Sequence, residues 1–321
     1  MKFVAPKPAP RGFARRVPPA IFPPILGLFA LGLGWRRAMI VLDLPRQIPE
    51  TALGAITLLF VFSFVAYMAK LILRPMVLRE ELRLMAGRLG LSAMIAGLYF
   101  LAMTLSPYLP DPARWLLSAA LVLHAGLIVL ILGTFARGPA EARRYSPAGQ
   151  LYFVSPIIGA AAAADLGPAH LALGLLAGAL AVAIALWLRG ADRLWRRGLA
   201  APLRPLLALH LMPAGVAGLA ALSLGQEGVA EVFASVAALM LAAGVLGGRW
   251  LTRSGFTALW GAFTFPLAAT ASLWIDLGGM WRMAGSVLLV GATFVTLPIA
   301  FRVLKLWAGG QLAVKTNAAI A

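Results

Sequence analysis

Ten long apolar runs constrain the fold of this chain more than any other feature. A helix needs about 20 predominantly apolar residues to cross a bilayer, and runs of this kind occupy residues 18–35, 51–72, 89–105, 113–135, 149–164, 168–188, 203–224, 229–247, 256–275 and 283–304. Hydrophobic residues make up 61% of the chain and charged residues 12%, against about 45–50% and about 25% in soluble domains. The sequence therefore predicts an all-α integral membrane protein with ten transmembrane helices, of which the fifth is short for a full span.

The basic residues indicate the side of the membrane on which each loop lies. The net charge is +17, but the lysines and arginines fall in short blocks between apolar runs, which is typical of cytoplasmic membrane loops rather than of a nucleic-acid surface. If both termini are cytoplasmic, 23 of the 28 basic residues lie on that side, and the other five are Arg36, Arg37, Arg46, Arg114 and Arg282. We therefore expect a basic cytoplasmic tail (residues 1–17), a ten-helix membrane domain (18–308) and a cytoplasmic C-terminal tail (309–321).

Related segments in the odd-numbered runs indicate an internal repeat. Four of them contain a proline, at residues 22–27 (FPPILG), 154–159 (VSPIIG), 211–215 (LMPAG) and 264–268 (TFPLA), whereas residues 91–96 (LSAMIA) do not. Aligned on Pro24, Ser92, Pro156, Pro213 and Pro266, successive segments lie 68, 64, 57 and 53 residues apart. A proline inside a helix removes a backbone hydrogen bond and bends the helix, and broken helices meet around the central path of many transporters. We predict five helical hairpins, each contributing one bent helix to the wall of a central pore.

The ninth run carries the most informative of these prolines. Within residues 255–272, Pro266 follows two aromatic residues, Phe263 and Phe265, and precedes a run of small residues from 268 to 272. In a bilayer the carbonyl group freed by a proline cannot bond to water, so the bend must be covered by neighbouring helices or must face a cavity. A bent helix with a bulky ring before the bend and small residues after it predicts a pore-lining element.

The same stretch carries a family resemblance. The run from Trp260 to Pro266, WGAFTFP, resembles the ninth-helix signature W-x-F/Y-S/T-F-P/G of the tellurite-resistance/dicarboxylate transporter family, which includes the plant slow anion channels. The resemblance extends over nearly the whole chain. It implies ten helices, five inner and five outer, around a pore on a pseudo-fivefold axis, assembled as a homotrimer. It also implies that Phe265, at the position of the second aromatic residue of the signature, plugs the pore.

The resemblance further implies an anion channel or transporter of a bacterial inner membrane, without enzymatic activity or cofactor. Family members carry tellurite, chloride or nitrate, C4-dicarboxylates such as malate, or sulfite, and the sequence does not select among these anions. A proton-coupled carrier is the main alternative. It needs a titratable group beside the path, for which His210 is the nearest candidate, but no carboxylate lies deep in any run, which counts against ion coupling. A membrane enzyme would need a nucleophile, a metal cluster or paired carboxylates, and a non-transporting scaffold would leave the repeat unexplained.

Individual side chains allow more than one interpretation. Phe265 either closes the pore or fills space, as most membrane phenylalanines do. Arg36 and Arg37 follow the first run on the outer side, where they either draw anions toward the pore mouth or anchor the helix at the headgroups. His124 and His210 lie within the fourth and seventh runs without the spacing of a metal site, and we expect structural hydrogen-bonding roles for them. The chain has no cysteine, which excludes disulfides and Cys-ligated metals.

Overall fold

The computed structural model describes residues 14–139 and 145–321, which form helices joined by short turns and contain no β-strand. Their α-helices are α1 (Phe22–Val41), α2 (Gln47–Leu73), α3 (Met76–Arg83), α4 (Met85–Leu105), α5 (Pro110–Arg137), α6 (Pro156–Leu166), α7 (Ala169–Arg197), α8 (Leu211–Ser223), α9 (Glu227–Leu246), α10 (Gly248–Leu251), α11 (Gly261–Leu277), α12 (Gly279–Ala308) and α13 (Gln311–Lys315). Most of the predicted basic tail, residues 1–13, lies outside the described residues, as do Arg143 and Arg144.

Nine helical segments within the described ranges are long and apolar enough to cross a membrane. They correspond to nine of the ten predicted runs. The fifth run differs, because residues Gln150–Leu166 form a shorter apolar segment in which a π-helical turn, Gln150–Val154, is followed by α6. The prediction of an all-helical, multi-pass membrane protein is confirmed.

Four of these long segments, together with the shorter Gln150–Leu166, form the interior of the molecule. We call them the inner segments: Pro19–Val41 (containing α1), Met85–Leu105 (α4), Gln150–Leu166 (containing α6), Ala201–Ser223 (containing α8) and Ala258–Leu277 (containing α11). Each inner segment packs against the next one along the chain, and α11 packs back onto α1, so the contacts close into a ring. In the four longer segments, 67% to 89% of the apolar stretch is buried.

The remaining long helices form an outer layer around the ring. We call α2, α5, α7, α9 and α12 the outer helices. Each packs against the inner segment that precedes it in the chain, and only 17% to 33% of its apolar stretch is buried. Their exposed leucine, valine and phenylalanine side chains suit contact with lipid, because a helix satisfies its own backbone groups and needs only an apolar surface in the bilayer.

A break in helical geometry precedes the proline in four of the inner segments. Short 3-10 helices lead into α1, α8 and α11, and the π turn leads into α6. Pro24, Pro156 and Pro213 then stand within the first three residues of their α-helices, and Pro266 is the sixth residue of α11. The first helical turn tolerates proline because its amide groups have no intrahelical partner. The helix with Ser92 in the equivalent place, α4, continues without interruption for 21 residues.

The inner segments run in the same direction, which gives the molecule two different faces. We call the side where they begin the N face and the side where they end the C face. At the C face, Arg37 of α1 pairs with Asp276 of α11 and lies 4.0 Å from Asp165 of α6. At the N face, Lys70 of α2 and Glu81 of α3 form a buried ion pair with an Nζ–Oε1 distance of 2.9 Å.

Residues 311–321 lie across the N face. The backbone N–H of Ala319 donates to Oε1 of Glu81 at 3.1 Å, and the N–H of Ala321 donates to the carbonyl of Arg15 at 3.0 Å. The guanidinium of Arg74 donates to the carbonyl of Ile320 at 2.5 Å. These bonds hold the segment against the residues just before the first inner segment, against α3 and against the turn between α2 and α3.

Candidate functional site

A small cavity lies at the centre of the ring of inner segments, and we call it the central cavity. All five segments contribute to its wall: Ala30, Leu33 and Arg37 from α1, Phe100 and Met103 from α4, Ile158 and Ala161 from α6, Val216 and Leu219 from α8, and Phe265, Ala269 and Ser272 from α11. Its volume is about 20 Å³, which is room for about one water molecule. A space of this size cannot hold a continuous column of water.

Phe265 lines the central cavity and, of the three α11 residues in its wall, lies nearest to the N face. Its side chain is 2% exposed, and its ring meets that of Phe100 edge-on with 5.4 Å between the centroids. Phe100 in turn stacks on Phe29 of α1 at 6.5 Å. The ring that the family resemblance singles out is therefore supported by a second phenylalanine from another inner segment.

The other phenylalanine before Pro266 has different surroundings. Phe263 is half-buried, lies edge-on to Trp260 with 5.8 Å between the ring centroids, and does not line the central cavity. Residues two apart in an α-helix point about 200° away from each other. Of the two rings, only that of Phe265 meets the central cavity.

A larger cavity lies beyond Phe265 on the N face, and we call it the N-face cavity. It has a volume of about 350 Å³ and is lined by the beginnings of α1 and α4 and the residues just before them, by residues 257–259, which lead into α11, and by Lys315, Thr316 and Asn317. On each of these three elements, the residues that line the N-face cavity precede those that line the central cavity. The two cavities thus follow one another along the same inner segments, and on the last of these Phe265 comes after the residues that line the N-face cavity and lines only the central cavity.

The four prolines predicted as pore-side bends lie outside the wall of the central cavity. Each stands toward the N-face end of its inner segment. Pro266 acts most directly on the site, because it has no N–H to donate to the carbonyl of Ala262 and so loosens the turn that carries Phe265. Pro24, Pro156 and Pro213 mark the places where regular α-helix begins.

Arg36 and Arg37 are adjacent on α1 but lie in different surroundings. Arg36 is 6% exposed, and its guanidinium donates two hydrogen bonds of 2.6 Å to the carboxylate of Glu50 at the start of α2. Arg37 lines the central cavity and binds Asp276, with Asp165 at 4.0 Å. Arg36 therefore ties α1 to its outer helix, whereas Arg37 holds the C-face ends of three inner segments together.

His124 and His210 have hydrogen-bond partners away from the central cavity. Nδ1 of His124 lies 3.1 Å from the hydroxyl of Tyr99, and Nε2 of His210 lies 2.6 Å from the hydroxyl of Tyr145. These contacts agree with the structural roles predicted for both histidines. Within the described ranges, no group of three or more His, Cys, Asp or Glu side chains could hold a metal ion.

Two features of the site could not be predicted from the sequence: the ring that packs on Phe265 and the carboxylates beside Arg37. Phe100 stands eight residues after Ser92, where the repeat has no shared feature. The carboxylates that balance Arg37 come from α6 and α11, which are distant from it in the chain. Only the packing of the inner segments brings these groups together.

Comparison with known proteins identifies the family of the chain. The family model described as voltage-dependent anion channel matches residues 16–304. This range contains all five inner segments and four of the outer helices completely, and most of the fifth outer helix, α12. No curated protein matches the sequence. Because the family match covers nearly the whole chain, the protein belongs to the voltage-dependent anion channel family, which confirms the family resemblance of its sequence.

Proposed function

We propose that the protein is an anion channel of a bacterial inner membrane, gated by Phe265. The observation that carries this proposal is that this ring lines a cavity walled by all five inner segments, three of which lead from a second cavity on the N face. In this arrangement five helical hairpins, related by a pseudo-fivefold axis, surround a path that one side chain interrupts. A hydrophobic constriction can gate ion flow by excluding water.

The distribution of charge supports an anion as the transported ion. Loops assigned to the N face carry 23 of the 28 basic residues and four acidic ones, so they generate a positive potential at that end of the path. Arg37 is the one charged side chain among the described residues that line the central cavity. The beginnings of the inner helices, which carry partial positive charge, lie on the same side as the basic loops.

The wall of the central cavity favours a channel over a proton-coupled carrier. Its described residues include no carboxylate and no histidine, and His210 is bonded to Tyr145 elsewhere. Flux into liposomes separates the two functions and also identifies the ion. Tellurite, chloride, nitrate, a C4-dicarboxylate and sulfite are compared with and without a proton gradient, and a flux that the gradient accelerates would favour the carrier.

The decisive test removes the ring of Phe265. Because Phe265→Ala removes the bulky apolar ring that is proposed to exclude water, it is expected to leave the path permanently wetted. In a planar bilayer, anion conductance should rise roughly tenfold or more above wild type. Cations should stay excluded, because the substitution does not change the surrounding potential.

Phe263→Ala is the matched control. It removes the same ring from the same helix, on the side that packs against Trp260. It should lower stability without raising conductance. If neither variant conducts better than wild type, Phe265 fills space and does not gate. If Phe263→Ala is the variant that opens, the family position has been assigned to the wrong phenylalanine.

We also propose that the N face is cytoplasmic and that the protein is a homotrimer. The bias of basic residues supports the orientation, which places residues 1–17 and 309–321 in the cytoplasm, and the family resemblance supports the trimer. Reporters fused after Gly225 and Leu277 should behave as external, and one fused after Gly309 as internal. An internal signal at Gly225 would contradict the orientation, and mass photometry measures the assembly.

A further inference from the structure

A large cavity on the N face has no part in the proposed path. It lies between α5 and α7, which both pack on the π turn Gln150–Val154, and its volume is about 760 Å³. We call it the lateral cavity. Apart from Met85, which also borders the N-face cavity, it shares no lining residue with either cavity of the path. Three arginines, Arg88, Arg189 and Arg193, stand in a wall otherwise dominated by leucine, phenylalanine and tyrosine.

Arg88 differs from the other buried basic residues. The buried basic side chains of the described chain are Arg36, Lys70 and Arg88. The first two pair with carboxylates at 2.6 Å and 2.9 Å. Arg88 is 7% exposed, its Nη1 donates to the carbonyl of Leu82 at 2.8 Å, and its Nε has no partner. This guanidinium therefore lacks the anionic partner that the other two cations have. A buried charge without such a partner is costly.

The surroundings of Arg88 supply partial compensation only. Its guanidinium carbon lies 5.0 Å from the ring centroid of Phe135 and 5.7 Å from that of Tyr152, and ring faces attract cations weakly. Arg189 and Arg193 of α7 add two further positive charges to the same wall. Among the described residues that line the cavity there is no aspartate or glutamate. The lateral cavity therefore combines a positive charge excess with an apolar wall.

We propose that the lateral cavity binds an anionic phospholipid, with the headgroup phosphate on the arginines and the acyl chains along α5 and α7. The volume far exceeds that of a small inorganic anion, and the apolar wall would not help to bind one. From Leu132 and Leu186 the wall leads to the exposed side chains of Val129 on α5 and Ile184 on α7, which suit contact with acyl chains. Basic pockets between membrane helices bind anionic headgroups in this way.

The number of cationic groups selects among anionic lipids. Three guanidinium groups can contact two phosphates at once, each by paired hydrogen bonds. Diphosphatidylglycerol, which carries two phosphates in one headgroup, should therefore bind more tightly than phosphatidylglycerol, which carries one. Zwitterionic phosphatidylcholine should bind weakest, because its choline group would meet the arginines.

Native mass spectrometry of the purified protein, titrated with these three lipids in detergent, tests the proposal. The variant Arg189→Gln/Arg193→Gln removes two cations from the lateral cavity and leaves the buried Arg88 in place. Its matched control is Arg196→Gln/Arg197→Gln, which removes two charges from the same helix at positions that do not line the cavity. The dissociation constant for diphosphatidylglycerol should rise about tenfold to thirtyfold in the cavity variant and less than about threefold in the control.

Three outcomes would overturn the proposal. Equal weakening in both double variants would assign lipid binding to the general basic surface of the N face. Equal affinity for phosphatidylcholine would remove the role of the arginines. Displacement of the lipid by an equal concentration of glycerol phosphate or inorganic phosphate would mean that the cavity takes a free phosphate. None of these measurements involves conductance, so their failure leaves the proposed channel function untouched.

Discussion

The outer helices of this protein are more hydropathic than its inner segments. In soluble proteins the buried elements are the more hydropathic ones. The outer helices have mean hydropathies of 2.1 to 2.5 and bury 17% to 33% of their apolar stretches, whereas the four longer inner segments have values of 1.3 to 1.8 and bury 67% to 89%. Lipid is itself apolar, so an outer side chain gains nothing by moving inward, and helices associate through close packing of small residues. In this protein the most hydropathic helices are therefore those that face lipid.

Both sets contain polar groups. On the inner helix α11, the hydroxyls of Thr264 and Ser272 donate to carbonyls of their own helix, at 2.8 Å and 2.9 Å. The outer helix α2 buries a charge, because Lys70 reaches inward to Glu81 and to the carbonyl of Val17 at 2.9 Å. Lys70 is thus the place where an outer helix behaves least like a lipid-facing one.

The largest effect on stability is expected from removing one partner of the buried pair between Lys70 and Glu81. Lys70→Met leaves the carboxylate of Glu81 buried without its cation, which should lower the free energy of unfolding by about 3–5 kcal/mol. The exposed pair of Asp192 and Arg196 on α7 is the control, since Asp192→Asn should cost about 1 kcal/mol or less. Unfolding in detergent measures both. Equal losses would mean that burial of the Lys70 pair adds nothing.

The pH dependence of the same variant sharpens this test. Burial raises the pKa of the Glu81 carboxyl, against the opposing charge of Lys70, so Lys70→Met should raise this pKa further. The folded state then holds a proton that the unfolded state releases above its own pKa of about 4.3. Stability should therefore be greatest below that pH and fall as pH rises toward the folded pKa. The double variant Lys70→Met/Glu81→Gln should lose this slope, and a flat profile in the single variant would contradict the argument.

An intermediate effect is expected where two inner segments approach most closely. A Cβ atom added at Gly27 of α1 would lie 2.0 Å from Oγ1 of Thr264, whose own bond to Gly261 and burial leave it little room to move. Gly27→Ala should therefore destabilise the protein by about 1–3 kcal/mol. Gly126→Ala on the outer helix α5, where no atom lies within 4 Å of the new Cβ, should be neutral or stabilising. An equal fall in the melting temperatures of both variants would mean that inner segments and outer helices do not differ in how closely they pack.

The features predicted from the sequence are those that depend on local chemistry. Apolar length predicted nearly every spanning helix, because the bilayer imposes the same requirement on each one. Proline predicted where helical geometry changes in the inner segments, because the missing N–H acts within one turn, and three of the four prolines stand in the first turn of an α-helix. The inner segment without this proline agrees with the same argument, because α4, which has Ser92 in the equivalent place, is uninterrupted.

The features that were not predicted depend on contact between distant segments. Phe100 supports Phe265 from another helix, and no periodicity or motif links the two positions. Likewise, the sequence left open whether Arg36 and Arg37 face a pore or the headgroups. Their carboxylate partners come from the start of α2 and the ends of α6 and α11, so only the packed structure separates the two arginines by environment.

The smallest effect is expected from a substitution at the C-face end of the central cavity. It tests whether the different surroundings of Arg36 and Arg37 matter for anion flow. Arg37 lines the cavity but shares its charge with Asp276 and Asp165, so the cluster as a whole carries one negative charge. Asp276→Asn would leave it neutral and the guanidinium freer to attract anions. In the open background Phe265→Ala, single-channel anion current at low salt should rise about twofold to fivefold, and the gain should vanish near 1 M salt, where the Debye length is about 3 Å.

Glu50→Gln in the same background is the matched control, because it removes a carboxylate from the neighbouring arginine, Arg36, which does not line the central cavity. This variant should be less stable, since a buried guanidinium loses its carboxylate partner and keeps the carbonyls of Met103 and Thr104, but the current through each open channel should be unchanged. A gain of current in both variants would mean that the two arginines act on the path through their summed field and that their separate positions do not matter. No gain in either would mean that Arg37 serves to join α1, α6 and α11, and that the attraction for anions comes from the N face alone.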